Sequence, residues 1–133
     1  MELSNEFIIN NGASGYHLAL HSDGGQYATG ASGLYVSETG KSFITPVFNA
    51  ISELTPWEDI GLRYRSDLYE LNQTIAYAGL LEVSFHDIPE EAAWIHSNVA
   101  SIADAVTDGI YAAFELERSP SEPDYWKDKY NSL

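Results

Sequence analysis

Glu82 lies in the most apolar run of the chain, Leu80-Leu81-Glu82-Val83-Ser84-Phe85, and a carboxylate between Leu81 and Val83 must be either stabilised or used. Burial raises a carboxyl's pKa, which suits a general base or acid; at a strand end the same group can meet a metal or cation. The plain alternative is a glutamate reaching past its strand to an arginine such as Arg63 or Arg65. His21 follows Leu18-Ala19-Leu20 and precedes a glycine-rich turn, so it projects from a strand end, where open α/β sheets gather ligands and reacting groups. If the two strands are parallel neighbours, His21 and Glu82 share one mouth, a pairing suited to zinc hydrolysis or acid–base work.

The other candidates read more plainly. His17 shares the face of His21, but four residues of strand span about 13 Å, too far for one ion. It reads as structural, and His86 and His96 as solvated helix-start and helix-face residues. Asp23 is a second ligand or a turn cap, and the cap is the simpler reading. The loop 24–33 has glycines but no lysine and no following helix, so it is a weak phosphate cradle. Ser22 and Ser84 lack a nucleophile-elbow setting. Glu90-Glu91 and Glu115-Leu116-Glu117 read as solvated faces, and no calcium-loop spacing is present.

Helical and strand patterns alternate, which predicts an α/β layer architecture. A helix is expected over 2–10, ended by Gly12, then strands at 16–21 and 34–36. Ile44, Val47, Phe48, Ile51 and Leu54 repeat at helical spacing, predicting a helix from Phe43 to Leu54 with Pro46 in its first turn. A loop containing Pro56 and Gly61, a short strand at 68–71 and the central strand at 80–85 follow. Asp87-Ile88-Pro89-Glu90 predicts a helix capped by Asp87, and Val99, Ile102, Ala103, Val106, Ile110, Ala113 and Phe114 predict the last long helix.

Composition excludes several partners. The 133 residues carry a formal charge of −14, with 6 Lys and Arg against 20 Asp and Glu, which repels nucleic acid and anionic lipid. No stretch is long and apolar enough to span a bilayer, and Met1 to Ile9 does not read as a secretory signal, so localisation is left open. With no cysteine, any metal donors are His, Asp or Glu.

Four blocks in order then carry a resemblance: Tyr16-His17-Leu18-Ala19-Leu20-His21-Ser22-Asp23, Gly33-Leu34-Tyr35-Val36, Asp67-Leu68-Tyr69-Glu70-Leu71-Asn72-Gln73-Thr74, and Leu80 to Asp87 with Pro89-Glu90-Glu91. Together, over roughly residues 3–116, they resemble the second half of the zinc-dependent N-acetylmuramoyl-L-alanine amidases of cell-wall and phage-endolysin type. The resemblance implies a mostly parallel or mixed central sheet flanked by helices, lacking the family's N-terminal strands. It implies His21 as a zinc ligand, Glu82 as the catalytic carboxylate, Zn as cofactor and peptidoglycan as substrate. The family's other two zinc ligands, a His in a Gly-His-Gly loop and a Glu on the next helix, have no counterpart here; Ser84 stands where Gly is usual, and Asp23 and Ile88 where Asn is common. Residues 1–117 are thus expected to form an N-terminally incomplete amidase-like domain, and 118–133 a linker and the start of a truncated helix. The exposed sheet edge would permit self-association. Two other classes stay open: a noncatalytic peptidoglycan-binding or interaction module, and an unrelated acidic domain in which Glu82 is merely salt-bridged.

Overall fold

The computed structural model describes residues 1–12 and 14–118; the expected linker and helix start beyond Arg118 lie outside the described residues. Helix α1 (Glu2–Asn11) ends at Gly12 in the left-handed conformation, as its sequence predicts. It leads into β1 (Tyr16–Asp23), β2 (Ser32–Tyr35), α2 (Glu38–Ser52), β3 (Gly61–Tyr64), α3 (Tyr69–Asn72), β4 (Tyr77–Phe85), α4 (Pro89–Ser97) and α5 (Val99–Ala113).

The sheet order is β1-β4-β2-β3. β1 runs parallel to β4 and β2 parallel to β3, while β2 and β4 are antiparallel, so the sheet is mixed. β4 is central and buried along most of its length, which accounts for its near-continuous apolar run. Its alternating side chains build two cores. Leu81 and Val83 face Ile44, Val47, Phe48 and Ile51 of α2 and Val106 of α5. Ala78 and Leu80 face Ala19, Leu34 and Leu71, with Leu68 packed alongside. Helix α5 comes so close to α2 that a Cβ on Gly109 would lie 2.5 Å from the Val47 Cα.

Four expectations are corrected. Helix α2 starts at Glu38 rather than Phe43, because the Ser37 side chain caps it by accepting the Gly40 N–H at 3.0 Å. Pro46 therefore sits in the helix interior, where it forgoes one backbone bond, and burial of Phe43, Ile44, Val47, Phe48 and Ile51 offsets that loss. Residues 68–71 form a helical turn rather than a strand: Leu71 and Asn72 both donate to the Leu68 carbonyl. β3 begins at Gly61, the end of the expected loop, where no strand is expected because its four residues are too few to show alternation. Asp87 does not cap α4; its carboxylate accepts the Gly25 N–H at 2.7 Å instead.

Candidate active site

The parallel pairing of β1 with β4 sets His21 opposite Glu82, and the antiparallel pairing on the other side sets Ser32 opposite Glu82. Paired residues of a ladder project to the same face, so His21, Glu82 and Ser32 form a row across three strands. Arg63 of β3 extends the row, its Nη2 donating to Ser32 Oγ at 3.4 Å and to Tyr27 Oη at 3.3 Å. This is the face that carries Ala19, Leu34 and Leu80; α3 covers that apolar part and leaves the polar row at its end.

Each member of the row has a different setting. Glu82 is half-buried, and its Oε2 is buried with no hydrogen-bond partner among the described residues. Burial is the main cause that raises its pKa, Asp23 adds to the rise, and His21, Arg63 and His86 pull the other way. No ion pair joins Glu82 to Arg63 or Arg65: Arg65 pairs with Asp67 at 2.7 Å, and the carboxylate nearest Arg63 is Asp23 at 4.0 Å. His21 Nε2 lies 2.7 Å from Glu70 Oε2, which α3 carries onto it.

The residues around the row are held by the chain itself. Asp23 accepts the Gly24 N–H at 2.8 Å and the Tyr27 hydroxyl, the turn-cap role expected of it. The Tyr27 pKa is raised, first by burial and then by this bond to Asp23. His86 Nδ1 lies 3.0 Å from Ser22 Oγ and ties the ends of β1 and β4. His17 is half-buried with its Nε2 unpartnered among the described residues, and His96 is exposed on α4. In the glycine-rich loop, Gly25 donates to Asp87, Gly30 to Glu91 at 3.2 Å, and Ala31 to Asp59 at 2.6 Å. Three backbone donors of the kind that hold a phosphate are thus turned onto carboxylates of the chain.

Glu91 corrects the reading of Glu90-Glu91 as a solvated face. It is 1% exposed and accepts from Gly30 N–H, Ser84 Oγ and Phe85 N–H. It ties the end of β4 to the loop that enters β2. Only its position in the first turn of α4, with the helix N-terminus behind it, hints at this in the sequence. Glu70 had no local signal, because its partner is 49 residues away in the chain.

A catalytic zinc takes about three protein donors. Among the described residues no group of three or more His, Cys, Asp or Glu could hold a metal ion. His21 and Glu70 meet, but as partners of each other. The donors among the described residues do not fit zinc on their own.

The sequence profile described as N-acetylmuramoyl-L-alanine amidase matches residues 5–112. No curated protein matches the chain. The fold is similar to the catalytic domain of CwlV, an N-acetylmuramoyl-L-alanine amidase from Bacillus (Paenibacillus) polymyxa var. colistinus, with a TM-score of 0.72 and 20% identity over 85% of this chain and 64% of that one. It is also similar to an N-acetylmuramoyl-L-alanine amidase from Clostridium difficile 630 (TM-score 0.71, 18% identity, 88% and 66% covered). A third likeness is to the catalytic domain of the CD27L endolysin targeting Clostridia difficile (TM-score 0.68, 20% identity, 89% and 65% covered). The chain spans just under two thirds of each of these structures.

Proposed function

This chain belongs to the N-acetylmuramoyl-L-alanine amidase family, and from that premise we propose that it contributes the Glu82 half of a site hydrolysing the amide between N-acetylmuramoyl and L-alanine in peptidoglycan. The observation that carries this reading is the register of His21 opposite Glu82 on one face of a parallel strand pair. Glu82 takes the proton from the attacking water and delivers it to the leaving amine of L-alanine, which closes the proton balance of the step. Its raised pKa brings the carboxyl toward the range where it both accepts and returns a proton.

The family is generally zinc-dependent. In this chain His21 is the residue the resemblance assigns to the metal, and the donor set among the described residues is short of a site, so the chain by itself is expected neither to retain zinc nor to cleave cell walls efficiently. That shortfall supports a second reading, a noncatalytic module that binds peptidoglycan. In either reading β1 offers an outer edge with no partner strand among the described residues, beside the exposed Leu20, where another copy could pair.

The test measures release of L-alanine amino termini from purified cell walls. It compares the chain, the chain fused to a segment supplying a His and a Glu, and the same fusion carrying Glu82→Gln. Cleavage by the fusion and its loss on substitution support the amidase reading. Muropeptide binding without cleavage by the fusion supports the module.

A further inference from the structure

Of the cationic side chains among the described residues, three are already engaged. Arg65 holds Asp67 with two bonds of 2.7 Å, Arg118 holds Asp104 and Asp108 at 3.1 and 3.0 Å, and Lys41 lies over the Tyr35 ring. Arg63 differs. It sits at the end of the polar row with no hydrogen bond to a carboxylate among the described residues. Asp23, at 4.0 Å, is committed to Gly24 and to the Tyr27 hydroxyl. Among the described residues Arg63 Nη2 makes only the two long bonds to Tyr27 and Ser32 and Nε is buried without a partner, and the side chain is 30% exposed.

A guanidinium offers five donors and strongly favours a planar anion that takes two of them together. Here Nη1 and the rest of Nη2 remain for one. The setting makes such a group valuable, because a chain of net charge −14 otherwise repels an anionic ligand.

Building on the peptidoglycan reading, we propose that Arg63 is a specificity-determining residue that takes a free carboxylate of the stem peptide beside Glu82, so that this chain binds stems bearing that carboxylate in preference to amidated ones. The spacing agrees. Arg63 reaches back to Ser32, one strand from Glu82, so its head group lies about 5–10 Å from the carboxylate. In an extended peptide the α-carboxylate of the residue after L-alanine lies about 7 Å from the scissile nitrogen.

The experiment titrates the chain, by calorimetry or NMR, with two muramoyl dipeptides that share a blocked γ-carboxyl on the second residue, D-glutamate. They differ only in a free or an amidated α-carboxyl. The free acid is expected to bind about tenfold or more tighter, the effect of one charge-assisted hydrogen-bonded pair. Arg63→Gln should bring the ratio below about threefold, and Arg63→Lys should keep part of it. Equal binding by the parent, or a preference that survives Arg63→Gln in a folded variant, overturns the proposal. Failure of both ligands to bind at millimolar concentration overturns the peptidoglycan reading, and this proposal with it. If Arg63→Gln does not fold, the parent's preference and the behaviour of Arg63→Lys decide.

Discussion

Replacing Glu91 by alanine should be among the most damaging single changes in this chain, although the residue is charged and stands in an acidic pair. The side chain is 1% exposed and gathers donors from Gly30, Ser84 and Phe85. Alanine leaves two buried backbone N–H groups and a hydroxyl without their acceptor, at about 1–3 kcal/mol for each donor left unsatisfied. Loop relaxation and water entry recover part of this, so the expected loss is about 3–5 kcal/mol. A domain of this size has about 5–15 kcal/mol in total. At about 3–5 °C per kcal/mol, the melting temperature falls by about 10–20 °C. All three donors meet Oε2, while Oε1 has no hydrogen-bond partner among the described residues, so Glu91→Gln can keep a carbonyl oxygen on the donors with its amide at the other position, and should lose at most about half as much. Urea and thermal unfolding followed by circular dichroism measure both. A loss under about 1 kcal/mol for Glu91→Ala would refute the reasoning and return Glu91 to the solvated face.

Asp59 accepts from Ala31 N–H, Ser52 Oγ and Thr55 Oγ1, so Asp59→Ala should cost about 2–4 kcal/mol in the same unfolding assay. The raised Glu82 pKa means that the folded state binds more protons than the unfolded chain just above the ordinary value of 4.5. Stability is therefore lost as pH rises through that window, and Glu82→Gln should be more stable than the parent at neutral pH, with the gap closing below pH 4.5. A gap that is constant with pH would contradict this. The Asp67 carboxyl, held down to about 2 by the bidentate Arg65, should return toward 3.8 in Arg65→Ala, followed by NMR titration of its side chain. After dialysis the chain should carry far less than one zinc per molecule by elemental analysis, because among the described residues no third donor joins His21 and Glu70.

The sheet and its main helices were legible because their signals are local. The apolar run at 80–85 marked the central strand, and the Val99–Phe114 stripe marked α5. The pairing of His21 with Glu82 follows from their strands being parallel neighbours. Apolar spacing places the start of α2 at Phe43, whereas the Ser37 side chain caps a helix that begins at Glu38, five residues earlier. The turn at 69–72 is not legible in the sequence, because a four-residue stretch is too short for periodicity to tell a strand from a helical turn. Glu70 on His21, Arg63 against Ser32, and Glu91 beneath Gly30 are contacts between residues far apart in sequence, and a carboxylate's local surroundings do not say which distant donors it will meet. The glycine-rich loop illustrates the same limit: its backbone donors are turned inward by Asp59, Asp87 and Glu91, none of them adjacent in the chain.

The most direct test of Glu82 as the proton-transferring carboxylate is the rate of L-alanine amino-terminus release from purified cell walls by the chain fused to a His- and Glu-bearing segment, with and without Glu82→Gln. Removal of a general base costs about 10²–10⁴-fold, and that loss is predicted while the unfolding curve of the variant at pH 4 stays close to the parent's. Hydrolysis within a factor of a few of the parent fusion would contradict the account and make Glu82 a structural residue.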